Sequence, residues 1–193
     1  NIEQAILFDT PIAADYDGDG KTDLAVWRLT DFISEPARFL IKHSSDNSGR
    51  TAQWGSSGDR PVAGDFDGDG KTDLAIYRSG NWWILQSSNN SVQITQYGLS
   101  QDILAPADYN GDGRDDLAVF RPSSGTWYVK DVATVAFGNS TDIPVPADYD
   151  GDGKTDIAIY RNGTWWINRS TGNVTATQFG LSNDIAVPVA YLP

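Results

Sequence analysis

Four near-copies of one fourteen-residue run constrain this chain more than any other feature: DYDGDGKTDLAVWR from Asp15, DFDGDGKTDLAIYR from Asp65, DYNGDGRDDLAVFR from Asp108 and DYDGDGKTDIAIYR from Asp148. Their spacings are 50, 43 and 40 residues. A chain repeating at this period stacks copies of one supersecondary unit, because a unit that small cannot bury its apolar surface alone. The similarity extends beyond the run. An Asp stands six positions before each copy (Asp9, Asp59, Asp102, Asp142), and an Arg stands thirteen positions after its first Asp (Arg28, Arg78, Arg121, Arg161). An aromatic segment follows (FLIK from Phe39, WWIL from Trp82, WYVK from Trp127, WWIN from Trp165). An aromatic-Gly pair closes each unit (Trp54-Gly55, Tyr97-Gly98, Phe137-Gly138, Phe179-Gly180).

Each unit reads as four strands of about five residues, rich in Val, Ile, Tyr and Trp and separated by Gly, Asn, Ser or Pro turns. Nothing sustains a helical period for ten residues. The expected fold is all-β: a β-propeller of four-stranded blades, four repeats in a single domain over residues 1–193, with neighbouring sheets burying each other's faces. The ends leave the ring size open. Residues 184–191 (DIAVPVAY) repeat the strand before the loop a fifth time, with Ala190 where the first loop Asp should stand. Either this copy completes the last sheet of a four-bladed ring, or the repeats belong to a seven- or eight-bladed ring whose other blades lie elsewhere or come from a second chain, an oligomer completing the propeller.

Within each run, positions 1, 3, 5 and 9 carry a carboxylate or an amide: Asp15, Asp17, Asp19 and Asp23; Asp65, Asp67, Asp69 and Asp73; Asp108, Asn110, Asp112 and Asp116; Asp148, Asp150, Asp152 and Asp156. Alternate spacing in a tight turn aims these groups at one centre. Gly at positions 4 and 6 permits the backbone that such a turn needs, and the carbonyl of position 7 (Lys21, Lys71, Arg114, Lys154) is free to turn inward. All-oxygen ligation suits a hard cation, and six or more protein oxygens on a flexible loop favour Ca²⁺ over Mg²⁺, giving about four ions for four loops. Helix-flanked calcium loops are excluded. The bidentate Glu they require at position 12 is replaced by Val26, Ile76, Val119 or Ile159. The bland alternative, a solvated acidic turn without an ion, fits one loop better than four in phase with a larger repeat.

Charge supports the cation reading. The formal net charge is -12 with a pI near 4.2, which repels phosphate backbones and makes nucleic acid a poor partner. There are 24 Asp against two Glu, Glu3 and Glu35, a bias toward short, rigidly held carboxylates that solubility alone would not impose. Cysteine is absent, so no disulfide or thiolate site forms. No apolar run approaches the ~18 residues of a membrane span, so membrane insertion is not expected, and the opening NIEQ reads as a processed chain or a cut domain.

At these residues the sequence resembles the calcium-loop β-propeller repeats called FG-GAP or VCBS repeats, known from integrin alpha subunits and many bacterial secreted proteins. The resemblance covers nearly the whole chain, and units such as PVPADYDGDGKTDIAIYR are most similar to the short bacterial form. It implies an extracellular or cell-surface location and a role in adhesion, in glycan recognition, or as an accessory to a secreted polysaccharide-degrading enzyme. The function expected is a non-catalytic, calcium-stabilised module for macromolecular binding or adhesion, taking a protein or glycan as part of a larger secreted or surface protein. The alternative is a carbohydrate-binding lectin or an accessory domain of a secreted polysaccharide-degrading enzyme.

Other features are weaker. The Trp82-Trp83 and Trp165-Trp166 pairs serve either inter-blade packing or stacking on sugar rings. Each repeat Arg is placed to pair with the Asp before its loop. The insertion after Arg28 carries apolar Phe32 and Ile33 in a loop. Asn89, Asn139, Asn162, Asn168 and Asn173 head glycosylation sequons, relevant only in a glycosylating host. No enzymatic activity is expected: His43 is the single His, in a polar turn, and twenty of the 24 Asp belong to loop or pre-strand positions.

Overall fold

The computed structural model describes residues 8–29 and 36–186. Phe32, Ile33, both Glu and the end of the fifth strand copy, including Ala190, lie outside them. The chain is all-β and built of β-propeller blades. Four four-stranded antiparallel sheets follow one another, each a simple meander. Blade one comprises β1 (Phe8–Pro11), β2 (Leu24–Leu29), β3 (Arg38–Lys42) and β4 (Gly49–Gln53). Blade two comprises β5 (Arg60–Gly64), β6 (Asp73–Arg78), β7 (Asn81–Leu85) and β8 (Val92–Gln96). Blade three has β9 (Ile103–Leu104), β10 (Ala118–Arg121), β11 (Thr126–Val129) and β12 (Ala133–Ala136), and blade four has β13 (Ile143–Pro144), β14 (Ile157–Arg161), β15 (Thr164–Asn168) and β16 (Val174–Gln178).

The first strands of blades three and four span two residues instead of the expected five. Blade one breaks in the same place, between Pro11 and the Ala14–Asp23 bridge, with Ala13 at the position of Pro106 and Pro146, so a missing N–H is not the cause. Ala105 and Val145 still donate to the Ala118 and Ala158 carbonyls at 3.0 and 2.9 Å. Pairing resumes as single bridges between Ala107 and Asp116 and between Ala147 and Asp156.

The chain forms two compact units of two blades, one running through Gln96 and the other starting at Tyr97. In the first, the pairs Ala25–Ile41 and Trp27–Phe39 lie opposite each other on one face of blade one. With Ile12 and Ala14 they pack on Ala63, Leu74 and Ile76 of blade two. The second unit repeats this arrangement: Ala118, Phe120, Trp127 and Val129 of blade three pack on Ile157 and Ile159 of blade four. Each blade thus has an aromatic face and an aliphatic face, and an aromatic face covers the aliphatic face of the next blade in its unit. Full burial of one such side chain contributes about 1.5–3 kcal/mol.

An ion pair clamps the first strand to the second in every blade. Arg28 donates to Asp9 through Nε and one terminal nitrogen, both at 2.7 Å. Arg78 meets Asp59 at 2.6 and 2.7 Å, Arg121 meets Asp102 at 3.0 and 2.9 Å, and Arg161 meets Asp142 at 2.6 Å twice. These are the pairs that the repeat spacing predicts, and their forked geometry makes them the strong kind.

Candidate metal centre

The Asp-rich loops join the first and second strands of each blade. Position 1 organises the turn: in loop one, Asp15 accepts the N–H groups of Gly18 at 2.7 Å and Gly20 at 2.8 Å. Asp65, Asp108 and Asp148 do the same with their own glycine pairs. Both glycines of each loop sit at φ between 76° and 83°, the left-handed region where a side chain is strained. Position 9 closes the loop, because Asp23, Asp73, Asp116 and Asp156 each accept the N–H of the residue at position 2. Position 5 accepts the N–H of Lys21, Lys71, Arg114 or Lys154, and in loop one the Lys21 ammonium also meets Asp19 at 3.1 Å.

The carboxylates converge in three loops. Oxygens of Asp15, Asp17 and Asp19, of Asp65, Asp67 and Asp73, and of Asp148, Asp150 and Asp156 lie within 4.8 Å of one another. In loop one, Asp17 and Asp23 also meet His43, whose Nδ1 is 3.3 Å from Asp23 and 3.5 Å from Asp17. Loop three forms no such group of three acids among the described residues. Its Asn110 donates an amide N–H to Asp116 at 3.1 Å, where an Asp would add a further carboxylate.

A second segment completes the three convergent loops, and sequence reasoning overlooked it. The turn after the third strand carries Ser44-Ser45, Ser87-Ser88 or Ser170-Thr171. The first residue of each pair donates its N–H to the position 9 carboxylate, at 2.6–2.7 Å, and its hydroxyl to position 5. The second donates its hydroxyl to position 3. The signal was present in the sequence as KHSS, LQSS and NRST, against KDVA in the third repeat. The third repeat lacks the hydroxyl pair and also carries Asn110, so the two departures coincide in one blade.

Burial and crowding oppose ionisation at position 9 of loops two, three and four. Burial pushes the Asp73 carboxyl up to about 6, with the Asp67 charge adding to the effect. Asp116 and Asp156 are raised for the same reasons, with Asp108 and Asp112 facing the first and Asp150 and Asp148 the second. In loop two, Asp67 Oδ1 is buried and has no hydrogen-bond partner. A buried carboxylate oxygen without a donor is costly unless a cation meets it. The residues therefore fit a hard cation.

The loops are also joined within each unit. The N–H of Thr72, between positions 7 and 9 of loop two, donates to the Asp15 carbonyl at 2.7 Å, and Thr155 donates to the Asp108 carbonyl at 2.7 Å.

Comparison with known proteins places loops two, three and four among known repeats. The model of the FG-GAP-like repeat matches residues 65–119 and 108–159. Among solved structures, the chain is similar to the crystal structure of the V. cholerae biofilm matrix protein Bap1, at 21% identity and a TM-score of 0.38. That match covers 87% of this chain and 29% of the other, so this chain spans less than a third of that protein's length. No curated protein matches the sequence.

Proposed function

Because this chain is an FG-GAP-like repeat protein, we propose that its Asp-rich loops are calcium sites fixing the strands of each blade, and that the module binds another macromolecule without performing chemistry of its own. The observation that carries the calcium reading is the unpartnered Asp67 Oδ1, set among the carboxylates of Asp65 and Asp73. Bound calcium supplies positive charge and several oxygen-coordination positions at that point, and Ca²⁺ suits a flexible loop of carboxylates better than Mg²⁺ does. Asp65, Asp67 and Asp73, with their counterparts in loops one and four, would hold it. Loop three keeps the backbone turn but offers fewer acids.

Secretion or surface display accords with this reading, since extracellular calcium modules operate at about 10⁻⁴–10⁻³ M. Among the described residues, no helix is long and apolar enough to cross a membrane. The partner is a protein or a glycan. Atomic emission on protein dialysed against calcium, with titration calorimetry, tests the metal. Three tight sites are expected, and a chain that retains no calcium ends this reading.

One observation favours a glycan as the partner. A pocket of ≈ 220 Å³ is lined by Trp54, Gly55, Ile76, Arg78 and Trp83 within the first unit, and the buried Trp83 Nε1 has no hydrogen-bond acceptor. Aromatic walls with a spare donor suit a sugar ring. A glycan array in calcium, followed by Trp83→Ala, tests this: lectin activity requires retention on at least one glycan and its loss in the variant. Turnover of a polysaccharide panel would overturn the non-catalytic reading.

A further inference from the structure

The exposed aliphatic face of blade one has covered counterparts elsewhere in the chain. Leu24 is 71% exposed, whereas Leu74 and Ile157, at the same position of blades two and four, are 2% and 7% exposed. The difference lies in surroundings, since the four second strands have nearly the same sequence. LAVWRL of β2 is as continuously apolar as DLAIYR of β6 or IAIYR of β14, a composition suited to burial on both faces. Yet burial in β2 alternates, while β6 and β14 are buried nearly throughout. Pro11, Leu24, Val26 and Leu40 line an open groove of ≈ 650 Å³ on this face.

What covers such a face is seen twice. In each unit the aliphatic face of the second blade is sealed by an aromatic face presenting Ala, an aromatic, a second aromatic and Ile or Val. An equivalent surface with incomplete cover exists on blade four. Trp165 is only partly buried, although its counterparts Phe39, Trp82 and Trp127 are fully buried. Phe179 is 76% exposed, although its counterparts Trp54, Tyr97 and Phe137 are partly covered.

We infer that blade one's aliphatic face is an interface for a second copy of this chain, which seats its blade four aromatic face there. The contact continues an interface the fold already builds twice, and it is heterologous: each copy offers one surface of each kind. Leu24 and the neighbouring groove take Trp165 and Phe179 of the partner copy. The calcium loops are not part of this contact, so the inference stands independently of the proposed metal function.

Light scattering coupled to size exclusion, in calcium and across micromolar concentrations, tests it. The chain is expected at twice its 21.0 kDa mass or more. Leu24→Asp and Phe179→Asp, both at exposed positions, should each remain folded by circular dichroism and run as monomers. An equimolar mixture of the two should recover a dimer, because the intact surface of one variant fits the intact surface of the other. The dissociation constant for either variant alone should rise at least ten-fold. A monomeric parent chain overturns the inference, whether because blade one stays open or because it closes on its own chain. Mixed variants that fail to associate, or a dimer disrupted by Leu24→Asp but not by Phe179→Asp, overturn it as well.

Discussion

Asp73 shows how a single carboxylate can be held at odds with its surroundings. It lies at the mouth of a strand, buried, with its oxygens committed to Phe66 and Ser87 N–H groups and the Asp67 charge beside it. Its carboxyl is pushed up to about 6, above the unfolded value of about 3.9. The fold therefore favours the protonated form, and the associated stability is complete below about pH 4 and lost as pH rises through 6. Metal-free protein should accordingly melt several degrees higher at pH 5 than at pH 7.5. With calcium the order should reverse, because ligands must be deprotonated to bind. Scanning calorimetry at both pH values, with chelator and with calcium, checks the sign. Asp67→Asn separates the two terms at one residue: it removes the like charge and so should raise the metal-free melting temperature, while lowering the calcium-loaded one by removing a ligand. A variant that moves both temperatures in the same direction would contradict the site.

At the scale of the strand and turn, the ion-pair clamps were legible because the repeat fixes their register. An Asp and an Arg nineteen residues apart recur four times, and a β-hairpin joined by a long loop brings such positions face to face. The Asp59 side chain is almost completely buried and that of Arg78 is nearly half exposed. Arg78→Ala should thus cost about 1–3 kcal/mol by leaving a buried carboxylate short of a donor, less than for a pair buried on both sides. Urea denaturation measures it, and Arg78→Ala combined with Asp59→Asn should cost less than the single change. The hydroxyl turns were harder to read, since Ser-Ser in a hairpin loop resembles ordinary turn chemistry until its donors are seen reaching Asp17, Asp67 and Asp150. The shortened β9 and β13 were missed because proline is no guide to them: Pro61 sits within the five-residue β5. One-sided burial of blade one was equally hidden, because a strand's composition states what it can bury and not whether a neighbour is present.

For the molecule as a whole, the loops carry most of the charge problem. The chain bears a formal charge of -12, sixteen of its Asp lie in the four loops, and three divalent ions would halve that charge. Chelation should therefore lower the melting temperature by well over ten degrees, with partial recovery in high salt, which screens repulsion but cannot coordinate oxygen. Equal melting curves with and without chelator would remove calcium from any structural role. The four loops should not empty together. Loop three lacks both the hydroxyl pair and the third convergent acid, so its affinity should fall at least ten-fold below the others, and Asn110→Asp should recover part of it. Loops one and two share the Thr72 to Asp15 hydrogen bond, which ties the backbone between two position 7 and 9 groups to the first residue of the other turn. An ion that orders one turn removes part of the ordering cost of its neighbour, so binding to this pair should be cooperative by about five-fold or more. Asp65→Asn, which disables loop two, should weaken loop one measurably in calorimetric titration while leaving loop four unchanged. Equal losses at loops one and four would show that the coupling does not run through that hydrogen bond.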